Sequence, residues 1–451
     1  MDFGCRFHLK YTVWLTLLLL SACKKDGPEP DYPAGSDEYI NDWLLDSMQV
    51  YYYWNSGLPK NPDLSKPPLD FFATLRNPQD RFSRIYNPSI PASYYPSPVQ
   101  QFGFELILYE RSGSVAQATV ALVVPNSVAA GSGLQRGQTI TKINGTIPNE
   151  SNVQALIRTS VAQRSITLDI EDLGTVIIPA MTMSENSVYV NKILEGESKP
   201  TAYLFYNSFD GRYWQHLQQA FMAFKQAGAT ELILDLRYNA GGDVGVCAAL
   251  AAVLSKVKET DPFLEYRGNS RAGTRKETFA RTISKTYSGT PFTFSEIELM
   301  RLSLDRVFIL TGRHTGSSAE FLIKALRPWT DVVQIGETTL GKDMASFSIK
   351  DNNTGKNNAW SIEPMVFKLY NGRGEGDYPN GLVPDVILQE LRAPLMPLGD
   401  PNDPLISEAR TRISGRPKRV SNRKATLEET PRILYDSREA ADQKANMIVK
   451  P

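Results

Sequence analysis

The chain opens with an apolar block, Tyr11 to Leu20, behind Arg6 and Lys10 and ahead of Ser21-Ala22-Cys23. The block is too short to span a bilayer comfortably, and its flanks read as a signal peptide over residues 1–22. Residues 23–37 are polar and rich in proline and glycine, as expected of a tether. Over residues 38–96 an aromatic stripe (Tyr39, Trp43, Tyr51, Tyr52, Trp54, Phe71, Phe72) predicts helices packed on their neighbours. Residues 97–180 predict a β-rich module, with a hairpin turn needing positive φ at Asn144-Gly145. The rhythm then changes. Strands are predicted at Tyr203–Tyr206, Glu231–Leu236, Val307–Leu310 and Val332–Ile335. Helices are predicted at Gln215–Phe224, Val244–Val253 and Ser318–Leu326, the last halted before Pro328. This alternation over residues 181–415 predicts an α/β core with largely parallel strands. Phe347–Ile349 and Trp360–Tyr370 predict a later strand pair around the polar turn Asp351–Asn358. From Arg416-Pro417-Lys418-Arg419 onward the chain is polar and basic, and residues 416–451 predict a flexible tail with local helix from Ser437.

Composition narrows the function classes. The 451 residues are 41% apolar and 22% charged, a folded body of two or three domains. The formal net charge is zero, so no overall field draws the chain to nucleic acid. No zinc-finger or phosphate-loop pattern appears, and neither metal nor cofactor is expected. Of three cysteines, Cys5 lies in the signal peptide and Cys23 at its end. Cys247 remains alone, so no internal disulfide is expected. It lies in the apolar run Val246–Leu254 and reads as a buried helical cysteine rather than a nucleophile.

Two short motifs carry candidate chemistry. Thr315-Gly316-Ser317-Ser318-Ala319-Glu320 follows the strand at Val307–Leu310. Gly336-Glu337-Thr338-Thr339-Leu340-Gly341-Lys342 follows the strand at Val332–Ile335. A serine hydroxyl attacks only when a base takes its proton, and a lysine amine serves as that base only when its surroundings keep it neutral. Taken alone, Ser317 or Ser318 reads as a helix N-cap, and Lys342 as a solvated surface lysine.

Taken together, Ser317-Ser318-Ala319-Glu320, Gly341-Lys342 and Leu234-Asp235-Leu236-Arg237-Tyr238-Asn239-Ala240-Gly241-Gly242 resemble the carboxy-terminal processing (tail-specific) serine peptidases. The resemblance runs from about Asp42 to about Gly415. It implies a crotonase-like ββα spiral core, an N-terminal helical segment and an inserted PDZ-like β-domain at residues 97–180. It makes Ser317 the nucleophile and Lys342 the general base. The backbone N–H of Ser318 and those of the Gly241-Gly242 turn become oxyanion donors. Asp80-Arg81-Phe82-Ser83 resembles the turn that precedes the PDZ module in these peptidases. Phe102-Gly103-Phe104 resembles the loop and strand that receive a peptide's C-terminus, and Ala129 to Gly145 resembles the core of bacterial PDZ domains. Gly381-Leu382-Val383-Pro384-Asp385 resembles the segment that closes the peptidase domain. Leu20-Ser21-Ala22-Cys23 resembles the bacterial lipobox, which makes Cys23 the lipidated residue and anchors the body to the cell envelope, with the outer membrane expected.

Two positions depart from the pattern: Ser346 stands where many relatives carry a glutamine, and Pro328 where some carry an acidic residue. His314, three residues before Ser317, invites a Ser-His reading, but no G-x-S-x-G elbow surrounds the serine. His216 lies in a predicted helix and reads as structural. Besides a lipid-anchored endopeptidase recognising substrate C-termini, the same scaffold suits an inactive binding lipoprotein. Retention of both Ser317 and Lys342 favours the enzyme. A serine esterase would need the missing elbow.

Overall fold

The computed structural model describes residues 32–90, 93, 98–111, 115–181, 185–196, 199–289, 292–302, 304–351, 358–392, 394–415, 431–439 and 447–449. Cys23 and the signal peptide lie outside these residues. The chain begins with helices α1 (Asp37–Tyr51) and α2 (Pro68–Leu75) and strand β1 (Arg84–Tyr86). Ser36 caps α1 by accepting the Tyr39 N–H. Next come α3 (Pro98–Phe102), β2 (Phe104–Glu110), β3 (Gln117–Val123), α4 (Val128–Gly131), β4 (Thr139–Ile143), α5 (Val153–Gln163), β5 (Ser165–Ile170) and β6 (Gly174–Pro179). The core runs through β7 (Val188–Leu194), β8 (Thr201–Tyr206), α6 (Trp214–Gln226), β9 (Glu231–Asp235), β10 (Gly242–Asp243) and α7 (Val244–Val253). It continues with β11 (Pro262–Arg267), β12 (Thr274–Thr278), α8 (Phe279–Ile283), α9 (Phe294–Met300), β13 (Arg306–Thr311), α10 (Ser318–Leu326) and β14 (Asp331–Gly336). Short strands β15 (Met344–Ala345), β16 (Ile349–Lys350), β17 (Ser361–Glu363), β18 (Phe367–Asn371) and β19 (Val386–Ile387) precede α11 (Pro404–Ser414), and β20 (Arg432–Asp436) and β21 (Met447–Ile448) follow it.

A six-stranded sheet, ordered β19-β14-β13-β9-β8-β7, forms the centre. Every neighbouring pair in it is parallel except β7 with β8. Strands covered on both faces read as unbroken apolar runs, and all residues of β8 and β9 are buried. Helix α6 turns Trp214, Leu217, Ala220, Phe221 and Phe224 inward at helical spacing. Helix α7 is buried on every side, which explains why it carries no polar face. A second sheet, β12-β11-β18-β15, contributes Phe263, Leu264, Phe367 and Leu369 to the same apolar core. The α1–α2 pair buries Leu44, Met48, Tyr52, Phe71 and Phe72 in a cluster shared with Trp360 and Ile362.

Strands β2 to β6, joined at the edge of β2 by β20 from late in the chain, form a separate six-stranded sheet, ordered β20-β2-β3-β4-β5-β6, with its own apolar core. In β5 buried residues alternate with partly exposed ones. Asn144 and Gly145 both have positive φ, as the hairpin turn requires.

Two readings need correction, and one element had no reading. Trp360–Tyr370 is not one strand: β17 pairs with β16 and β1, while β18 pairs with β11 and β15, because Pro364 breaks the run between two sheets. The β11–β12 hairpin was not predicted. And the segment 431–439 does not behave as a flexible tail. β20 is a full strand of the module's sheet, and Asp436, Ser437 and Arg438 are buried. Its partners are all distant in sequence, so local composition carried no sign of them.

Candidate active site

Strand β13 ends at Thr311 and α10 starts at Ser318; the turn between them presents Ser317. Its backbone is at φ 60°, ψ −122°, a region sparsely populated by residues other than glycine. The surroundings hold it there. Thr315 Oγ1 donates to the Leu236 carbonyl at 2.8 Å, and the Gly316 N–H donates to the Asn239 carbonyl at 3.0 Å. The Asp235-to-Gly242 segment is thereby stitched to the serine turn. The Ser317 side chain is fully buried, and its hydroxyl has no hydrogen-bond partner among the described residues. The neighbouring Ser318 hydroxyl is occupied, donating to the Gly242 carbonyl at 2.7 Å. The two serines are thus distinguished: one is committed to structure, the other left free.

The glycine turn lies against them. A Cβ on Gly241 (φ +112°) would come within 2.6 Å of Ser317 Cβ and 3.0 Å of the Ser318 nitrogen, so only glycine fits. The Gly241 N–H donates to Asn239 Oδ1 at 2.8 Å. Gly241 is therefore not a free oxyanion donor, contrary to the expectation from its motif. The Asn239 side chain is the reason. Ser318, the first residue of α10, has no acceptor within its own helix for its N–H, and Gly242 sits beside it.

Lys342 is fully buried. Burial pulls its amine down to about 7 from the ordinary 10.5. The nearby Arg84 guanidinium pushes the same way, and Glu363, Asp80 and Glu320 oppose it. The Phe82 ring covers the amine at 5.3 Å from ring centroid to Nζ. The Asp80-to-Ser83 turn that carries Phe82 is shaped by Asp80 Oδ1, which accepts the N–H groups of Phe82 and Ser83. Arg81 then bonds the carbonyls of Leu340 and Pro379, fixing this turn over the lysine loop. A cleft of about 610 Å³ opens here, lined by Trp54, Asp80, Phe82, Gly341 and Met344.

Glu320 joins the two motifs, a role the sequence reading did not assign. Its Oε2 accepts the backbone N–H groups of Ser317 and Lys342, each at 2.8 Å. Its Oε1 accepts the Gly341 N–H at 2.7 Å and the Thr339 hydroxyl. Serine and lysine backbones thus converge on one oxygen. Burial pushes the Glu320 carboxyl up to about 7, against the pull of these four donors. The signal was present: a glutamate three residues into a helix is a capping-box position.

Other predicted residues fall elsewhere. His314 Nε2 lies 2.9 Å from Asp436 and is engaged there. His216 is on the exposed face of α6. Burial raises the Cys247 thiol well above its ordinary value, and its Sγ faces the Ser318 carbonyl; it is not a nucleophile. Ser346 is buried with its hydroxyl unbonded among the described residues. Phe102 and Phe104 are buried in the module's own core, flanking Gly103 at φ +84°. Among the described residues no cluster of side chains suits a metal ion, and no helix is long and apolar enough to cross a membrane.

The model of peptidase family S41 matches residues 200–388, and that of the peptidase S41 N-terminal domain matches residues 39–84. A solved structure from Bacteroides fragilis assigned to the S41 proteases superposes with a TM-score of 0.68 at 24% identity, covering 86% of this chain and 99% of that one. The photosystem II D1 C-terminal processing protease is similar at 17% identity with a TM-score of 0.45, covering 78% of this chain and 93% of that one. No curated protein matches. The chain carries the N-terminal and peptidase domains of family S41, a family of serine-type peptidases.

Proposed function

We propose that this chain is an endopeptidase of the bacterial cell envelope working through a Ser317–Lys342 dyad. The observation that carries the reading is the convergence on Glu320: a strained serine with an uncommitted hydroxyl and a buried lysine held near neutrality are tied to the same carboxylate. Lys342, neutral, takes the Ser317 proton as the oxygen attacks a peptide carbonyl. The N–H groups of Ser318 and Gly242 face the developing oxyanion. The lysine then returns its proton to the leaving amine, and water releases the acyl group by the same route. Serine and lysine are not hydrogen-bonded here; such contacts tighten when substrate binds.

The lipid anchor at Cys23 and the PDZ-like capture of substrate C-termini by Phe102-Gly103-Phe104 belong to the same proposal. Their support is the Leu20-Ser21-Ala22-Cys23 sequence and an independently packed β-module with a glycine at its entry. A serine-reactive fluorophosphonate tests the dyad. The label is expected on Ser317 and is lost in Ser317→Ala and Lys342→Ala; labelling of Ser318 instead would refute the assignment. For the anchor, Cys23→Ser is expected to leave the protein unprocessed or soluble, and a fully processed, membrane-bound Cys23→Ser protein would refute it.

A further inference from the structure

Two edges in this molecule are suited to receive an extended peptide, and the chain's own late segments lie on both. The outer edge of β2 carries β20, antiparallel, with Ile107 opposite Asp436 and Leu108 opposite Tyr435. Ser437 continues the pairing: its N–H donates to the Leu106 carbonyl at 3.0 Å, and its hydroxyl accepts the Leu106 N–H at 2.9 Å. Leu434 and Tyr435 pack on the module's core. β20 therefore runs toward Gly103, as an added peptide strand would.

The second edge is β10, the glycine turn beside Ser317. β21 pairs with it in parallel, Gly242 opposite Met447 and Asp243 opposite Ile448. On its other side the Val449 N–H donates to the carbonyl of Ser346, four residues past Lys342, at 3.2 Å. Val449 is 3% exposed and joins the main apolar core. Residues 447–449 thus run between the serine side and the lysine side of the site, making main-chain contacts to both. At the end of β20, Asp436 is buried against His314 and Arg438, which pins this first segment beside the residue three positions upstream of Ser317.

We propose that residues 432–437 and residues 447–449 are built-in peptide ligands, the first filling the edge of β2 and the second the substrate strand of the peptidase cleft, so that a substrate must displace them. The inference rests on the reading of the Ser317–Lys342 cleft as the substrate site. It also defines the ligand class: an extended main chain parallel to β10, with an aliphatic side chain where Val449 sits.

Binding tests this without catalysis. The Ser317→Ala protein, whole or lacking residues 447–451, is titrated into a fluorescein-labelled synthetic peptide of residues 443–451, and anisotropy is read. The shortened protein is expected to bind at least tenfold more tightly than the whole one, and a peptide carrying Val449→Asp to bind at least tenfold more weakly. Equal affinity of the whole and shortened proteins, or no binding to the shortened one, overturns the proposal. Should the shortened protein fail to fold by circular dichroism, Val449→Asp in the full chain replaces it, with the same two outcomes. Fluorophosphonate labelling is followed in parallel on the chains retaining Ser317. A label elsewhere refutes the dyad, while the anisotropy comparison still decides the ligand.

Discussion

Ser317 and Lys342 each sit in an unfavourable state that the surrounding fold maintains. For Ser317 the cost is backbone strain of order 1–3 kcal/mol. For Lys342 it is a buried amine. The value of about 7 in the folded chain lies below the ordinary 10.5, so the unfolded chain binds more protons across that window and stability rises with pH through it. At neutral pH the shift costs about 4 kcal/mol. Lys342→Met is therefore expected to abolish activity yet raise the urea midpoint, by roughly 1–4 kcal/mol of stability; a drop in the midpoint would contradict the buried, neutral lysine. In the native enzyme the rate of fluorophosphonate labelling should rise with pH through a midpoint near 7, as the amine loses its proton, and level off above it. A rate independent of pH between 6 and 8 would remove Lys342 as the base. The neighbouring serines should separate cleanly. Ser317→Ala is inactive, whereas Ser318→Ala keeps activity and loses about 1 kcal/mol with the bond to the Gly242 carbonyl.

At the scale of elements, α10 and the loop after β14 work as one unit because Glu320 accepts donors from both. Glu320→Gln keeps the shape, but its amide has one acceptor oxygen in place of two, so the donors that met the other oxygen lose their acceptor. It is expected to cost about 1.5–3 kcal/mol of stability and to lower the labelling rate more than tenfold, both measurable on the purified protein. An unchanged rate would reduce Glu320 to an ordinary cap. Much at this scale was legible in the sequence. The helices Val244–Val253 and Ser318–Leu326 have the predicted bounds, and the parallel core strands fall where predicted, because buried parallel strands and their helices write themselves as unbroken apolar runs. The serine and lysine motifs were equally plain. What stayed hidden depends on pairing between distant segments: the division of Trp360–Tyr370 between two sheets, the placing of β20 on β2, and the loss of the Gly241 donor to Asn239. Phe82 was legible as part of a turn but not as the cover of Lys342, since nothing local says which way a turn faces.

Across the whole molecule, a buried ionic cluster joins segments far apart in sequence. Glu390 accepts Arg136 of the β-module at 2.6 Å, Arg237 at 2.9 Å and the Tyr238 hydroxyl at 2.6 Å. Arg237 also pairs with Asp235 and Asp403, and Arg438 reaches Asp436 and Glu390. These cations hold the Glu390 carboxyl far below the usual carboxylate range. Removing one member strands the others: Glu390→Gln should cost about 3–5 kcal/mol in chemical denaturation, and a loss under 1 kcal/mol would show that the cluster relaxes into solvent. The cluster also bears on how the protein comes apart. Arg136, Arg237 and Arg438 belong to three different regions, and opening any one of them alone would take a cation away from the buried Glu390 carboxylate. The β-module and the peptidase core should therefore melt together, in a single calorimetric transition whose van't Hoff and measured enthalpies agree, rather than as two separable bodies.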